Sequence, residues 1–510
     1  MTGPIGDGRT PDDQPNRPDD EAADSAAPER SGSDASGDAT NGDATGGDAT
    51  SDDATSDDTT GGRHAAPVDE SVDEAIDSGT DVAPQLGGEG ADPADPTAPA
   101  GARGRPPGRF MRVVRWLTSA NPVVISVLSI FSALVIGAIL IVIGDRPVLR
   151  EFGYFFAQPG TALSGAWDQI KLAYVSLFQG AIFNPSTLGG AISGKNSWAV
   201  ALGPISETLT YAAPLILTGL AVAIPFRGGL FNIGAQGQAI FGAIGAGLIG
   251  FELKLPTVLA WIIALVAGAV GGAIWGFIPG ILKARTGAHE VVVTIMLNYI
   301  ALLFLGWIIL QDGVKDPTQS QAISKPLHSS SVLPHLLGSS HRTNFGLLLG
   351  LLAAFVVAWL INRSTFGFEI RAVGANPDAA RTAGMSVAKT YVLVMVVAGA
   401  LAGLGGAVQL LGTATALTGG VVANIGFDGI TVALLGRAKP WGTVLAALLF
   451  GALYAGGNQM QSNAGVVVDL VQVLQALIVI FIAAPALITS IYRLRPGSAT
   501  QATANLAKGW

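Results

Sequence analysis

Residues 227–250 read RGGLFNIGAQGQAIFGAIGAGLIG. The stretch is apolar enough for a lipid bilayer, yet it opens with Arg227, Asn232, Gln236 and Gln238 and is studded with glycine. Gly228, Gly229, Gly234 and Gly237 would make a poor helix in water, at roughly 1 kcal/mol each relative to alanine. In a bilayer the same small residues let two backbones approach closely. Amides at that depth need partners, either a neighbouring helix or a solute passing through.

Working outward, the chain divides into two unlike polymers. Residues 1–100 carry 25 Asp and Glu against 4 Arg, whereas the remaining 410 residues carry 12 acids and 25 Lys and Arg. The formal charge of −8 therefore belongs to the tail. Residues 1–104 repeat a short acidic beat (Asp38-Ala39-Thr40, Asp43-Ala44-Thr45, Asp48-Ala49-Thr50). With nothing there to bury, the composition predicts a disordered acidic tail, either a docking arm or a solvated extension. Arg103, Arg105, Arg109, Arg112 and Arg115 follow, and place that side in the cytoplasm while offering charge to anionic lipid. The chain has no cysteine, which excludes disulfides and thiolate metal sites.

The first apolar run covers about 122–144, the length of a membrane span rather than of a cleavable leader. Residues 105–205 are read as a basic juxtamembrane segment, that first span, and an insert whose part 172–192 forms an interfacial or external hairpin. Within the insert, residues 189–196 (GGAISGKN) approach a phosphate-binding loop, but Asn196 stands where a Ser or Thr should hold magnesium, and no strand precedes it. From 206 to 487 the apolar runs come regularly: about 208–226, 231–251, 257–282, 290–310, 344–362, 390–411, 413–436, 441–459 and 466–487. The expected fold is an all-α polytopic membrane protein of about ten transmembrane helices. Loops on one side hold Arg227, Lys283, Arg285, Arg363, Arg371, Arg381, Lys389, Arg437 and Lys439, and those on the other are poor in basic residues. This alternation places both termini, including the tail 488–510, in the cytoplasm.

Residues 232–237 (NIGAQG) recur as 424–429 (NIGFDG), five expected spans later. An odd number of crossings would invert the second copy, so inverted five-helix repeats with a site between the halves are predicted. Polar groups within the spans are Asn232, Gln236, Gln238, Asn298, Gln409, Asn424, Asp428, Gln472 and Gln475. Each can be interhelical glue, worth ~0.6–2 kcal/mol per contact, or a group that binds solute hydroxyls and base edges. The path candidates are Gln236, Gln238, Asn298, Asp428, Phe231 and Asn232. Among these, Asn232 is the most structural and Gln236 and Gln238 face the path. Phe231 and Tyr299 can stack on a base or merely pack. Asp428 can serve a proton relay or cap a broken helix. His289 lacks a second histidine at the spacing of a zinc helix, and no catalytic constellation is present.

The longest internal loop on the basic side, 363–388, contains Asn376-Pro377, a helix start, and Gly384, a helix stop. It predicts a short helix between two spans, read either as a connector or as a handle for another protein.

Four stretches together carry a resemblance: 226–238 (FRGGLFNIGAQGQ), 290–300 (EVVVTIMLNYI), 371–384 (RAVGANPDAARTAG) and 426–436 (GFDGITVALLG). The core 206–487 resembles the permease subunits of bacterial ABC importers for branched-chain amino acids, simple sugars and nucleosides, with the nucleoside (basic membrane lipoprotein-associated) permeases nearest. The resemblance implies that Asn376, Pro377, Ala380, Arg381 and Gly384 form a helix that docks on a separate cytoplasmic ABC ATPase, where ATP and magnesium bind. It implies no cofactor in this chain and no nucleic acid. It also implies an extracytoplasmic substrate-binding lipoprotein, a second related permease or a homodimer, and a bacterial cytoplasmic membrane. Such permeases commonly have Glu where Gln236 stands. Rival readings are a sugar permease, an ion-coupled secondary transporter using Asp428, and a membrane scaffold.

Overall fold

The computed structural model describes residues 122–338 and 340–494. The acidic tail, the arginines at 103–115 and the segment beyond 494 lie outside the described residues. Within them the chain is helical apart from turns and three isolated bridges. The helices are α1 (Pro122–Gly144), α2 (Arg146–Phe152), α3 (Pro159–Ala181), α4 (Pro185–Ile192), α5 (Trp198–Arg227), α6 (Ala235–Glu252), α7 (Thr257–Thr286) and α8 (Glu290–Ile309). They continue as α9 (Gly346–Arg363), α10 (Thr365–Ala375), α11 (Pro377–Thr382), α12 (Val387–Gln409), α13 (Ile425–Leu435), α14 (Pro440–Ala464), α15 (Asp469–Ala483) and α16 (Pro485–Ile491).

Among the described residues, seven helices are long and apolar enough to cross a membrane: α1, α5, α7, α8, α9, α12 and α14. The pair α15–α16, bent by 88° at Pro485, makes an eighth if it is one span. The two expected spans that fall outside this set, 231–251 and 413–436, are the two that carry the repeated Asn-Ile-Gly motif. The first becomes α6, which starts only at Ala235, after an irregular turn in which Gly229 adopts a positive φ of 70°. The second becomes a π turn at Leu410–Ala414, an irregular run over 415–424, and the 11-residue α13. At 1.5 Å per residue α13 is about 16 Å long, half the hydrocarbon thickness. Thr415 and Ala423, at φ 59° and 43°, mark where the helical path breaks. The insert also differs from a hairpin over 172–192. Gly180 does not break α3, because it packs on Ala455 and Gly456 of α14, and the chain turns later, at Asn184-Pro185.

The centre is α5, whose apolar stretch is 83% buried. The contacts around it come in matching sets. Helix α12 packs on α7 and α6 as α5 packs on α14 and α13. Helix α6 touches α7 and α8 as α13 touches α14 and α15. The outermost helices do not match, since α1 lies on α15 whereas α9 lies on α5.

Glycine sets the closest of these contacts. Gly268, Gly272 and Gly276 of α7 are spaced four apart on one face and meet Gly399 and Gly403 of α12. A Cβ at Gly272 would strike the Gly399 carbonyl, and one at Gly403 the Gly268 carbonyl, so here backbone rests on backbone. Without water to drive apolar surfaces together, such close van der Waals contact is what holds helices in lipid.

Irregular backbone at membrane depth survives only where its polar groups find protein partners or line a cavity. The run after α12 meets that demand through the long loop 311–345. Amides of Ser324, Leu327 and Leu333 donate to the carbonyls of Leu417, Thr415 and Leu411, at 2.9, 2.9 and 3.0 Å. The Asn344 amide reaches the Gly412 carbonyl at 3.2 Å. His328 N–H donates to Gly250 O at 3.0 Å and ties the same loop to the end of α6.

Candidate functional site

The two motif copies touch. Gln236, on the first turn of α6, donates through Nε2 to Ala423 O at 2.5 Å and accepts from the Gly426 amide through Oε1 at 2.9 Å. Gly426 lies directly against the Gln236 backbone, where no side chain would fit. Thr218 of α5 closes the joint from behind by donating to Ile425 O at 2.9 Å. A second amide, Asn298 of α8, accepts from Gly237 N–H at 2.8 Å and donates to Ile233 O at 3.0 Å. Both side chains satisfy backbone groups left open where the helices start.

Beside this joint is a cavity of about 570 Å³. Gln236, Asn298, Tyr299, Asn424 and Phe427 line it, with Gly419, Gly420, Ala423 and aliphatic side chains of α6 and α8 completing the wall. No charged side chain is among its lining residues. Tyr299 and Phe427 are 63% and 43% exposed, so both rings present free faces. Asn424 is exposed, and its side-chain amide makes no hydrogen bond among the described residues, although it occupies the cap position of α13. The cavity can therefore hold a neutral, partly planar molecule of drug-like size, for which pockets of ~300–1,000 Å³ are usual. Nothing in it can perform covalent chemistry, and no group of three or more potential metal ligands occurs among the described residues.

Residues 205–483 match the family described as the branched-chain amino acid transport system / permease component. The chain belongs to this family. It is 43% identical over 280 residues to the guanosine ABC transporter permease protein NupP of Bacillus subtilis, a match spanning 55% of this chain and 80% of that protein. It is 41% identical over 291 residues to the nucleoside ABC transporter permease protein NupB of Lactococcus lactis, spanning 55% and 79%. The glucose ABC transporter permease protein TsgB13 of Haloferax volcanii is 31% identical over 290 residues, spanning 54% and 75%. The chain is thus a multi-pass permease subunit of an ABC importer and not an enzyme, as its motifs imply.

In the permease, the six path candidates scatter over four environments. Gln236 and Asn298 share the cavity wall but spend both polar ends on backbone. Asn232 and Gln238 do not line it. They are buried face to face, Asn232 Nδ2 donating to Gln238 Oε1 at 3.0 Å and Gln238 Nε2 donating to Asn232 Oδ1 at 3.2 Å. Asn232 Oδ1 also accepts from the Gly234 amide at 3.1 Å, which fixes the turn ahead of α6. Phe231 lies in a second cavity of about 460 Å³ with Glu290, Leu434 and Arg437, and packs edge-on against Phe226 at 4.6 Å. The two cavities succeed one another along α8, Val291 lining one, and Ile295 and Tyr299 the other. Asp428 takes a fourth place: its carboxylate accepts from Tyr454 Oη of α14 at 2.8 Å, and Tyr454 stacks on Tyr211 of α5 at 5.8 Å. Phe427 is the wall residue that the sequence reading missed. Its signal is the motif itself, where an aromatic replaces Ala235.

The short helix in the loop is α11. Asn376 Oδ1 caps it by accepting from the Asp378 and Ala379 amides at 3.0 and 3.1 Å, and Pro377 fills its first position. Ala380 is buried against Val373 and Val387. Arg381 and Asp378 pair at 2.9 Å on the open face, and Gly384 turns the chain at φ 83°. Helix α10 (Thr365–Ala375), ahead of it, is longer than α11 and falls within the loop that the apolar pattern predicts. Its amphipathic face is too short to be told from a connector by pattern alone.

Beside α11 is a third cavity, lined by Lys283, Arg381 and Tyr391. Lys283, in the last turn of α7, pairs with Glu290 at the first turn of α8, at 2.9 Å.

Proposed function

We propose that this permease translocates nucleosides, powered by ATP hydrolysis on a separate cytoplasmic ABC ATPase that carries the nucleotide and its magnesium. The observation that carries the reading is the uncharged cavity where the two broken helices meet. It offers two aromatic faces and one free amide, a set that suits a flat heteroaromatic base. The guanosine and nucleoside permeases among the relatives support the same substrate class. The glucose permease supports a simple sugar, but a hexose carries hydroxyls all around its ring edge, and this cavity has little unspent polarity to meet them.

Transport needs two packings of the helices that open the cavity to alternate sides. Helix α11, held by its cap and by Ala380, is the docking handle for the ATPase. It leads directly into α12, whose glycines rest on the α7 backbone and, through Gly406, on α6. Backbone contacts of this kind have no soft side chains between them, so a displacement at α11 is passed to α12, α6 and the Gln236 joint. The α11 end of the bundle is also the basic end, with Arg227, Arg285, Arg371, Lys389 and Lys439, which supports a cytoplasmic orientation for it. The matching contact sets of α12 with α7 and α6 and of α5 with α14 and α13 support two inverted halves. An extracytoplasmic lipoprotein delivers substrate at the end covered by the 311–345 loop. A second, related permease or a second copy completes the membrane unit of a bacterial cytoplasmic membrane.

The test is uptake into proteoliposomes containing the permease, its ATPase and its binding lipoprotein. ATP-dependent accumulation of guanosine, adenosine or uridine is expected, with glucose excluded. Uptake of glucose in place of nucleosides, or uptake that persists without the ATPase, would overturn the reading.

A further inference from the structure

Four of the cavity's side chains can hydrogen-bond, and they are not equivalent. Gln236 and Asn298 each have donor and acceptor already engaged with backbone, at 2.5–3.0 Å. Giving up those bonds to a solute would leave backbone groups of Ile233, Gly237, Ala423 and Gly426 unpaired around the helix starts. These two amides therefore keep the cavity's shape. That leaves Asn424 and the Tyr299 hydroxyl.

Asn424 is the more informative. Asn at a helix cap ordinarily turns its side chain back onto the second or third amide of the helix, and Asn232 does its equivalent in the first motif copy by binding Gly234 N–H. Asn424 does not. Its carboxamide stands exposed on the cavity wall, three residues before the ring of Phe427. A carboxamide presents one acceptor and one two-proton donor side by side, the arrangement that pairs with two neighbouring groups on a base edge.

We infer that Asn424 reads the base edge of the translocated nucleoside, with Phe427 and Tyr299 giving the aromatic faces, while Gln236 and Asn298 position the wall. The assignment rests on the nucleoside reading above. It makes Asn424 a selectivity residue within the permease. The chemistry also sets the direction of change. A carboxylate accepts but does not donate, so Asn424→Asp favours a base edge that donates twice, as guanine does through N1–H and N2–H₂, over one that needs a donor, such as adenine at N7 or N1.

The experiment is competitive uptake of guanosine against adenosine in proteoliposomes holding the whole complex, for the unaltered protein and for Asn424→Ala, Asn424→Asp and Phe427→Leu. The amount of assembled complex is measured for each. Asn424→Ala is expected to raise KM several-fold and to bring the guanosine-to-adenosine preference towards unity. Asn424→Asp should shift that preference towards guanosine by about tenfold relative to Asn424→Ala, since a good bidentate pair discriminates by roughly 1–3 kcal/mol. Phe427→Leu should raise KM for both nucleosides alike. A preference unchanged within twofold in both Asn424 variants would overturn the assignment while leaving the nucleoside reading intact. So would loss of a partner subunit from the complex with the preference unchanged, because the face would then be an interface. An unaltered complex that moves glucose and no nucleoside defeats the parent reading, and this one with it.

Discussion

The two copies of Asn-Ile-Gly-x-x-Gly share four residues in six and do opposite things with their polar side chains. In the first copy Asn232 is buried, capped onto Gly234 and locked to Gln238. In the second, Asn424 is exposed and free. At the fifth position Gln236 spans the joint between the copies, while Asp428 turns away to Tyr454. A repeated motif thus supplies a repeated backbone event, a broken helix, but its side chains are shared out between holding that break and facing what passes. The neighbours decide which role each takes. In the first copy Asn232 is fully buried, so its amide must pair internally, while Gln236 reaches the cavity wall with both polar ends already bonded to backbone. The second opens on a cavity and can leave one unpaired.

The comparison can be broken most severely at the joint. Gly426→Leu forces a side chain into the Gln236 backbone, and overpacking of this kind costs about 3 kcal/mol or more where nothing can move. We expect near loss of folded protein, read as monodisperse yield and thermal unfolding in detergent. Gln236→Leu comes next. It leaves Ala423 O and Gly426 N–H unpaired, and about 2–4 kcal/mol of destabilisation is expected for two such groups. Uptake should fall with it. Asn232→Leu strands the Gln238 amide and the Gly234 N–H at about 1–3 kcal/mol. In a double-mutant cycle with Gln238→Leu the two changes should be non-additive by about 1 kcal/mol, since one pair is removed once; additivity would mean the pair does not form. The smallest effect on stability belongs to Asn424→Ala, within about 0.5 kcal/mol, because an exposed side chain without partners is removed. A destabilisation of Asn424→Ala equal to that of Asn232→Leu would erase the contrast between the copies.

Much of the scaffold was legible because lipid imposes a strict rule: long apolar runs must be helices. Helices α1, α5, α7, α8, α9, α12 and α14 stand where the apolar runs predict them, although α5 starts about ten residues earlier than expected, at Trp198. Helix α11 was legible for a local reason, since a cap, a proline and a terminal glycine act within a few residues of one another. The failures are physical too. The runs 231–251 and 413–436 are apolar enough on average to suggest full spans, but hydropathy averages over the non-helical residues 231–234 ahead of α6 and over the breaks at Thr415 and Ala423. In the insert, Gly180 looked like a turn and is a contact. Glycine in a sequence marks either a bend or a close approach, and only the partner helix distinguishes them.

The site divides the same way. By itself the sequence determined that amides and glycines would sit at membrane depth, that two motif copies would carry them, and that a capped helix would end in an exposed turn on the basic side. These follow from composition, repetition and capping, which are local. Only the tertiary structure decided that Gln236 reaches across to Ala423 and Gly426, that Gln238 pairs with Asn232 rather than facing a cavity, and that Asn424 stands on the cavity wall with its donor and its acceptor unspent. Whether a polar group is glue or contact depends on what lies within hydrogen-bond distance of it, and for Gln236 those neighbours come from a segment about 190 residues away in the chain.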